Sequence, residues 1–184
     1  MTTFLNNIDT DKVTDLLNET HRNSTYFNEI TNTVVSSYCA DLDALLLTID
    51  TSINQKNIPT EVIEDYMLQL ASNIYFMGSK LEAVGIKEDV AKAMKQEVYN
   101  KAYLENDVET ITESGKKIKP TKDANTAVAE EKSKYESIIH SVYTRTYKIL
   151  KFKIESANEL LSSLKKVLNR RIQEVDMDRY QPRI

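Results

Sequence analysis

The sequence predicts an all-α fold: a helical hairpin followed by a very long C-terminal helix, packed as an oligomerising helical bundle or coiled coil. Three observations carry this. Glycine and proline number only 3 each in 184 residues, too few for the many tight turns of an all-β chain. Apolar side chains recur at steps of three and four, the spacing of one helix face, and no stretch sustains the period of two that a half-buried strand requires. From Asp123 to Asp176 the chain has neither glycine nor proline, which leaves room for a helix of about 50 residues and about 75 Å.

The elements follow in order. Residues 1–8 are polar and read as loose. A short helix is predicted after Thr10, carrying Val13, Leu16 and Leu17. Residues 21–25 are capping and turn types, so a second, longer helix is expected from about Tyr26 to Ile53. Together these form an N-terminal helical extension, 1–58. Residues 59–105 are expected to be a helical hairpin. Pro59 suits the start of its first arm, with Glu61 and Glu64 near the positive end of the helix dipole. Gly85 is the natural C′ residue of that arm, and 86–105 then folds back on it. Residues 106–123 contain Gly115, Pro120 and a lysine cluster, and read as a basic flexible loop. Residues 124–184 are the long C-terminal oligomerisation helix, with a break expected near Ser156 or Asn158. Its stripe of Ile139, Val142, Ile149, Leu161, Leu164, Leu168 and Ile172 is assigned to a subunit interface. The whole is one domain.

No apolar run approaches the ~18 residues of a membrane span. The N-terminus lacks a secretory apolar region. The single Cys39 fits a reducing compartment, so a cytoplasmic protein without a membrane partner is expected.

The formal net charge is −4, but it is unevenly placed. Residues 1–115 carry a net −11 and residues 116–184 a net +7. Such asymmetry points to a polyanion partner or to head-to-tail self-association.

Signals for catalysis are sparse. Gly78, Gly85 and Gly115 do not form a phosphate-cradling or nucleophile-elbow motif. His21 and His140 lack metal-ligand spacing, and Cys39 has acidic rather than activating neighbours. A non-enzymatic protein with no metal and no cofactor is expected.

Signals for binding are stronger. Residues 143–153 interleave Arg145, Lys148, Lys151 and Lys153 with Tyr147 and Phe152, a mixture that suits phosphates and stacked bases of single-stranded nucleic acid. Tyr143 and Tyr147 share a helix face and fit either base stacking or a subunit interface. Lys116, Lys117, Lys119 and Lys122 can track a phosphate backbone without reading bases. Lys165, Lys166, Arg170 and Arg171 could contact phosphate, pair with a neighbouring chain's acidic front, or keep the helix soluble.

Three stretches resemble the UvsY family of phage recombination mediators. Residues 66–84 (YMLQLASNIYFMGSKLEAV) are similar to the family's first helix, 98–104 (VYNKAYL) to its basic segment, and 160–179 (LLSSLKKVLNRRIQEVDMDR) to its C-terminal helix. The likeness covers about residues 60–180. Lys101 matches the lysine of the basic segment, while Tyr103 stands where the family has arginine. The resemblance implies a homo-oligomer that binds single-stranded DNA and helps load a RecA-like recombinase past a single-strand-binding protein. The alternative is a helical protein-binding module, a phage inhibitor or adaptor whose acidic front mimics nucleic acid.

Overall fold

The computed structural model describes residues 9–53, 58–111 and 117–180. The fold is all-α. Helix α1 spans Thr10–Ile53, α2 Thr60–Asn106, α3 Lys122–Lys132 and α4 Lys134–Tyr180; β1 (Thr110–Ile111) and β2 (Lys117–Ile118) form one short antiparallel ladder between α2 and α3. Among the described residues no helix is long and apolar enough to cross a membrane.

Buried residues recur every seven positions on all three long helices: Val35, Leu42 and Ile49 on α1; Ile63, Leu70, Met77, Val84 and Ala91 on α2; Leu150, Ala157 and Leu164 on α4. A seven-residue apolar repeat is the signature of left-handed supercoiled packing. The chain satisfies that repeat within itself. Thr144 donates to Glu88 at 2.7 Å and Arg171 donates to the Ile58 carbonyl, so α2 and α4 run antiparallel. Ser52 hydrogen-bonds Tyr66, and Lys80 donates to the Tyr38 carbonyl, which sets α1 antiparallel to α2. Lys153 pairs with Asp43 across α4 and α1.

Four sequence expectations are corrected here. First, residues 21–25 do not interrupt α1. The Ser24 and Thr25 hydroxyls both donate to the His21 carbonyl, at 2.8 and 2.9 Å, and so add bonds to the helix instead of diverting it. Asp9 caps the N-terminus, its carboxylate accepting from the Asp11 and Lys12 amides.

Second, 59–105 is not a hairpin. α2 continues through Gly85, because Val84 and Ala91 on either side are both buried. A Cβ built on Gly85 would meet the Tyr147 ring at 3.5 Å, an ordinary van der Waals contact, so Tyr147 packs beside this position. Gly78 has nothing within 4 Å of its Cβ position. Gly78→Ala is therefore expected to raise stability by about 0.5–1 kcal/mol through helix propensity alone, read as a higher urea midpoint at constant slope.

Third, the break in the C-terminal segment lies at Ser133, not near Ser156 or Asn158. The Ser133 side chain is buried, and its hydroxyl returns to the Ala129 carbonyl at 2.8 Å.

Fourth, the stripe assigned to a subunit interface is largely used inside the chain. Val142 and Leu164 are buried, and Ile149, Leu161 and Leu168 pack against the core, as do Tyr143 and Tyr147. Ile139 and Ile172 remain exposed at 48% and 47%.

Cys39 is fully buried in this core, and burial pushes its thiol pKa above the ordinary value. The folded state holds the proton longer than the unfolded chain does. This contribution is intact below the unfolded thiol pKa, near 9.0, and is lost as pH rises through the folded value. Native protein should therefore resist a disulfide reagent at pH 8 and react fully once unfolded; rapid reaction of the native thiol would contradict the packing.

Candidate nucleic-acid interface

The region read as a basic flexible loop is tied down where it is described. Asn125 is buried, accepts from the Asn106 amide and donates to Asp107, both at 2.8 Å. This joins the end of α2 to α3. Lys119 pairs with the same Asp107 at 3.0 Å, and this bond raises the Lys119 pKa. Lys117 pairs with Glu109 at 3.5 Å. Lys122 is exposed in the first turn of α3. Lys116 lies outside the described residues. Two of the loop lysines thus already have carboxylate partners.

The basic and aromatic side chains converge elsewhere. Phe27 of α1 crosses over α4, and the Arg145 guanidinium stands 5.8 Å from its ring centroid, within cation–π range. On either side of Phe27 lies an open cleft, and the two clefts share Phe27 and Ser141. One, of about 550 Å³, is lined by Lys95, Tyr99, Glu130, Lys134 and Ser137 among others. The other, of about 650 Å³, is lined by His140, Thr144, Arg145, Lys148, Ile149 and Phe152. Together they form a groove along α4 from Lys134 to Phe152, about 27 Å at 1.5 Å per residue.

The groove carries four permanent cations, Lys95, Lys134, Arg145 and Lys148, against one carboxylate, Glu130. Among the described residues none of the four forms an ion pair, whereas Lys80, Lys117, Lys119, Lys132 and Lys153 all do. Lysines with carboxylate partners must break them to meet a phosphate; the groove cations have none to break. Phe152 is 68% exposed and Tyr99 stacks on Tyr103 with ring centroids 6.4 Å apart. Such rings are platforms for unpaired bases.

Of the residues expected from the sequence to contact a strand, Arg145 and Lys148 line the groove. Lys101 and Lys151 are exposed but do not line it. Sequence reasoning missed Phe27, Lys95, Tyr99 and Lys134 because the groove is made by α1, α2 and α4 together. No single segment brings these side chains near one another. Among the described residues no group of histidine, cysteine or carboxylate side chains is placed to hold a metal ion. No family model, curated protein or solved structure matches the chain.

Proposed function

We propose that this chain binds single-stranded DNA in the groove between Lys95, Lys134, Arg145 and Lys148. We further propose that it acts as a recombination mediator without chemistry of its own. The observation that carries the reading is the grouping of four unpaired cations with Phe27, Tyr99 and Phe152 in one groove. The cations displace counterions from phosphates, and the rings accept bases that no complementary strand occupies. A duplex offers the phosphates but hides the faces of its bases, so the strand is preferred over the duplex.

The resemblance to the UvsY family supplies the biological step. A strand held along a groove of about 27 Å is extended and accessible on its outer side, a form on which a RecA-like recombinase can nucleate. The acidic-mimic alternative has less free charge to use, because Asp41 and Asp43 of the acidic front pair with Lys80 and Lys153.

The test is titration of a fluorescent oligothymidine across a salt series. Four phosphate contacts predict a slope of log affinity against log salt of about −2.8, at about −0.7 per contact on single strands. Absence of binding at low salt would refute the reading and favour a protein-binding module.

A further inference from the structure

We infer that the N-terminal half of α1, residues 10–34, is a clasp that lifts from the bundle while the rest stays folded, and that a strand bound in the groove holds it shut. The lifting stands on packing alone; its coupling to a strand rests on the DNA-binding proposal.

The packing of α1 changes at Val35. From there on, Val35, Cys39, Leu42 and Ile49 are buried, and Tyr38, Leu45 and Leu46 pack against the core they form. Before Val35 no described residue of α1 belongs to that core. Every residue from Asp9 to Tyr26 is exposed, and Phe27, Ile30 and Val34 are half-buried. Thr31 alone is buried in this half. Among the described residues no hydrogen bond or ion pair leaves α1 before Tyr38, where Lys80 and Lys87 of α2 donate to the carbonyl and the phenol oxygen. The tie across to α4 is the Arg145 guanidinium over the Phe27 ring, a weak bond where it is open to solvent.

The layer beneath the clasp is polar. The pairs Phe27–Arg145 and Asp43–Lys153 set α1 parallel to α4, and they bracket Thr31 and Thr146. These two threonines are 1% and 0% exposed. The Thr31 hydroxyl donates to the Phe27 carbonyl of its own helix, and the Thr146 hydroxyl has no partner among the described residues. A buried hydroxyl without a partner has lost its bonds to water and gained none. A segment with few buried apolar contacts opens at a lower free energy than the core does. A helix takes most of its stability from packing, so the lifted half also frays.

The clasp bears on the groove because Phe27 rides on it. Phe27 lines both clefts, whereas Arg145 and Lys148 stand on α4. A strand lying in both clefts touches α1 and α4 at once, and that surface exists only while the clasp is shut. A ligand that binds one of two states draws the population to it. Closure on the strand in turn slows its release.

Thiol labelling of the full chain tests this, with native Cys39 as the internal reference. In Thr31→Cys the introduced thiol should react with a disulfide reagent about 100-fold faster than Cys39, because lifting exposes the first and only unfolding of the core exposes the second. Ile30→Cys repeats the comparison at a half-buried site should Thr31→Cys lower the thermal midpoint. Adding Thr146→Val, which drops the unpartnered hydroxyl and keeps the branched shape, should slow the introduced thiol about 5-fold. Oligothymidine at about 100 times its dissociation constant should slow it about 100-fold. Equal rates at the two thiols, fast or slow, would overturn the separate opening. An introduced thiol indifferent to a strand that titration shows to be bound would overturn the coupling. If no strand binds, the DNA-binding reading falls with the coupling, and the two rates still decide whether the clasp opens.

Discussion

Arg145→Gln combined with Lys148→Gln is expected to weaken single-strand binding about 25-fold at 0.1 M salt. The arithmetic is that each phosphate contact on a single strand contributes about 0.7 to the salt slope, so losing two removes about 1.4 decades of affinity per decade of salt below 1 M. The slope itself should fall from about −2.8 to about −1.4. Both side chains are exposed and have no carboxylate partner, Arg145 standing over the Phe27 ring, and glutamine, though shorter, keeps the methylenes that pack along the helix. Loss of stability should not confuse the result. The matching control is Lys117→Gln with Lys119→Gln. Those lysines pair with Glu109 and Asp107, so their loss should change affinity little. If the loop pair weakens binding and the groove pair does not, the strand follows the loop and the groove assignment is wrong.

Leu150→Ala is expected to cost about 3 kcal/mol of stability, within the range for a buried leucine whose cavity only partly collapses. Leu150 is 0% exposed and belongs to the same core as Leu42, Met77 and Val84, so it contacts the region where all three long helices meet. In a chain of this length the loss corresponds to a fall in Tm of about 6–12 °C. Leu161→Ala, at a site only partly buried, should cost less. The comparison is informative beyond stability. Had the α4 stripe been reserved for another subunit, Leu150→Ala would lower the oligomer mass before it lowered the melting temperature of the single chain. A fall of less than about 1 kcal/mol would contradict the packing described, since it lies below the range for any buried leucine truncation.

Much of this fold was legible in the sequence, and the errors have identifiable causes. The all-α class, the ends of α1 and α2 near Ile53 and Asn106, and the apolar faces of the long segments all follow from spacing and composition. The errors concern interruptions and partners. Residues 21–25 look like a turn because serine, threonine and asparagine bond readily to nearby backbone; in α1 two of those hydroxyls bond back into the helix. Gly85 looks like a helix end because glycine tolerates a left-handed cap; here α2 runs through it, with Val84 and Ala91 on either side both buried. The residue type states what a position permits, and the neighbour decides which permission is used.

The binding site shows the same division. The cluster Arg145, Lys148 and Phe152 was visible as a local run, and it does line the groove. Phe27, Lys95 and Lys134 stood in separate segments, each unremarkable alone. The lysine-rich loop drew more notice, yet Asp107 and Glu109 lie close enough in sequence to pair with two of its lysines. Density of charge along the chain is therefore a poor guide to charge free to meet a ligand.

The sequence by itself determined that this chain is helical and that its apolar residues recur at steps of three and four. Those are local properties, set by backbone sterics and by which side of each turn is apolar. It could not say whether the repeat would be met by another chain or by the same one. That choice depends on whether α1, α2 and α4 can lie side by side at matching heights, which only their packing shows. Tertiary structure therefore turned a stripe read as an intermolecular seam into an internal core. The same packing put α1, α2 and α4 around one groove, which local spacing could not anticipate.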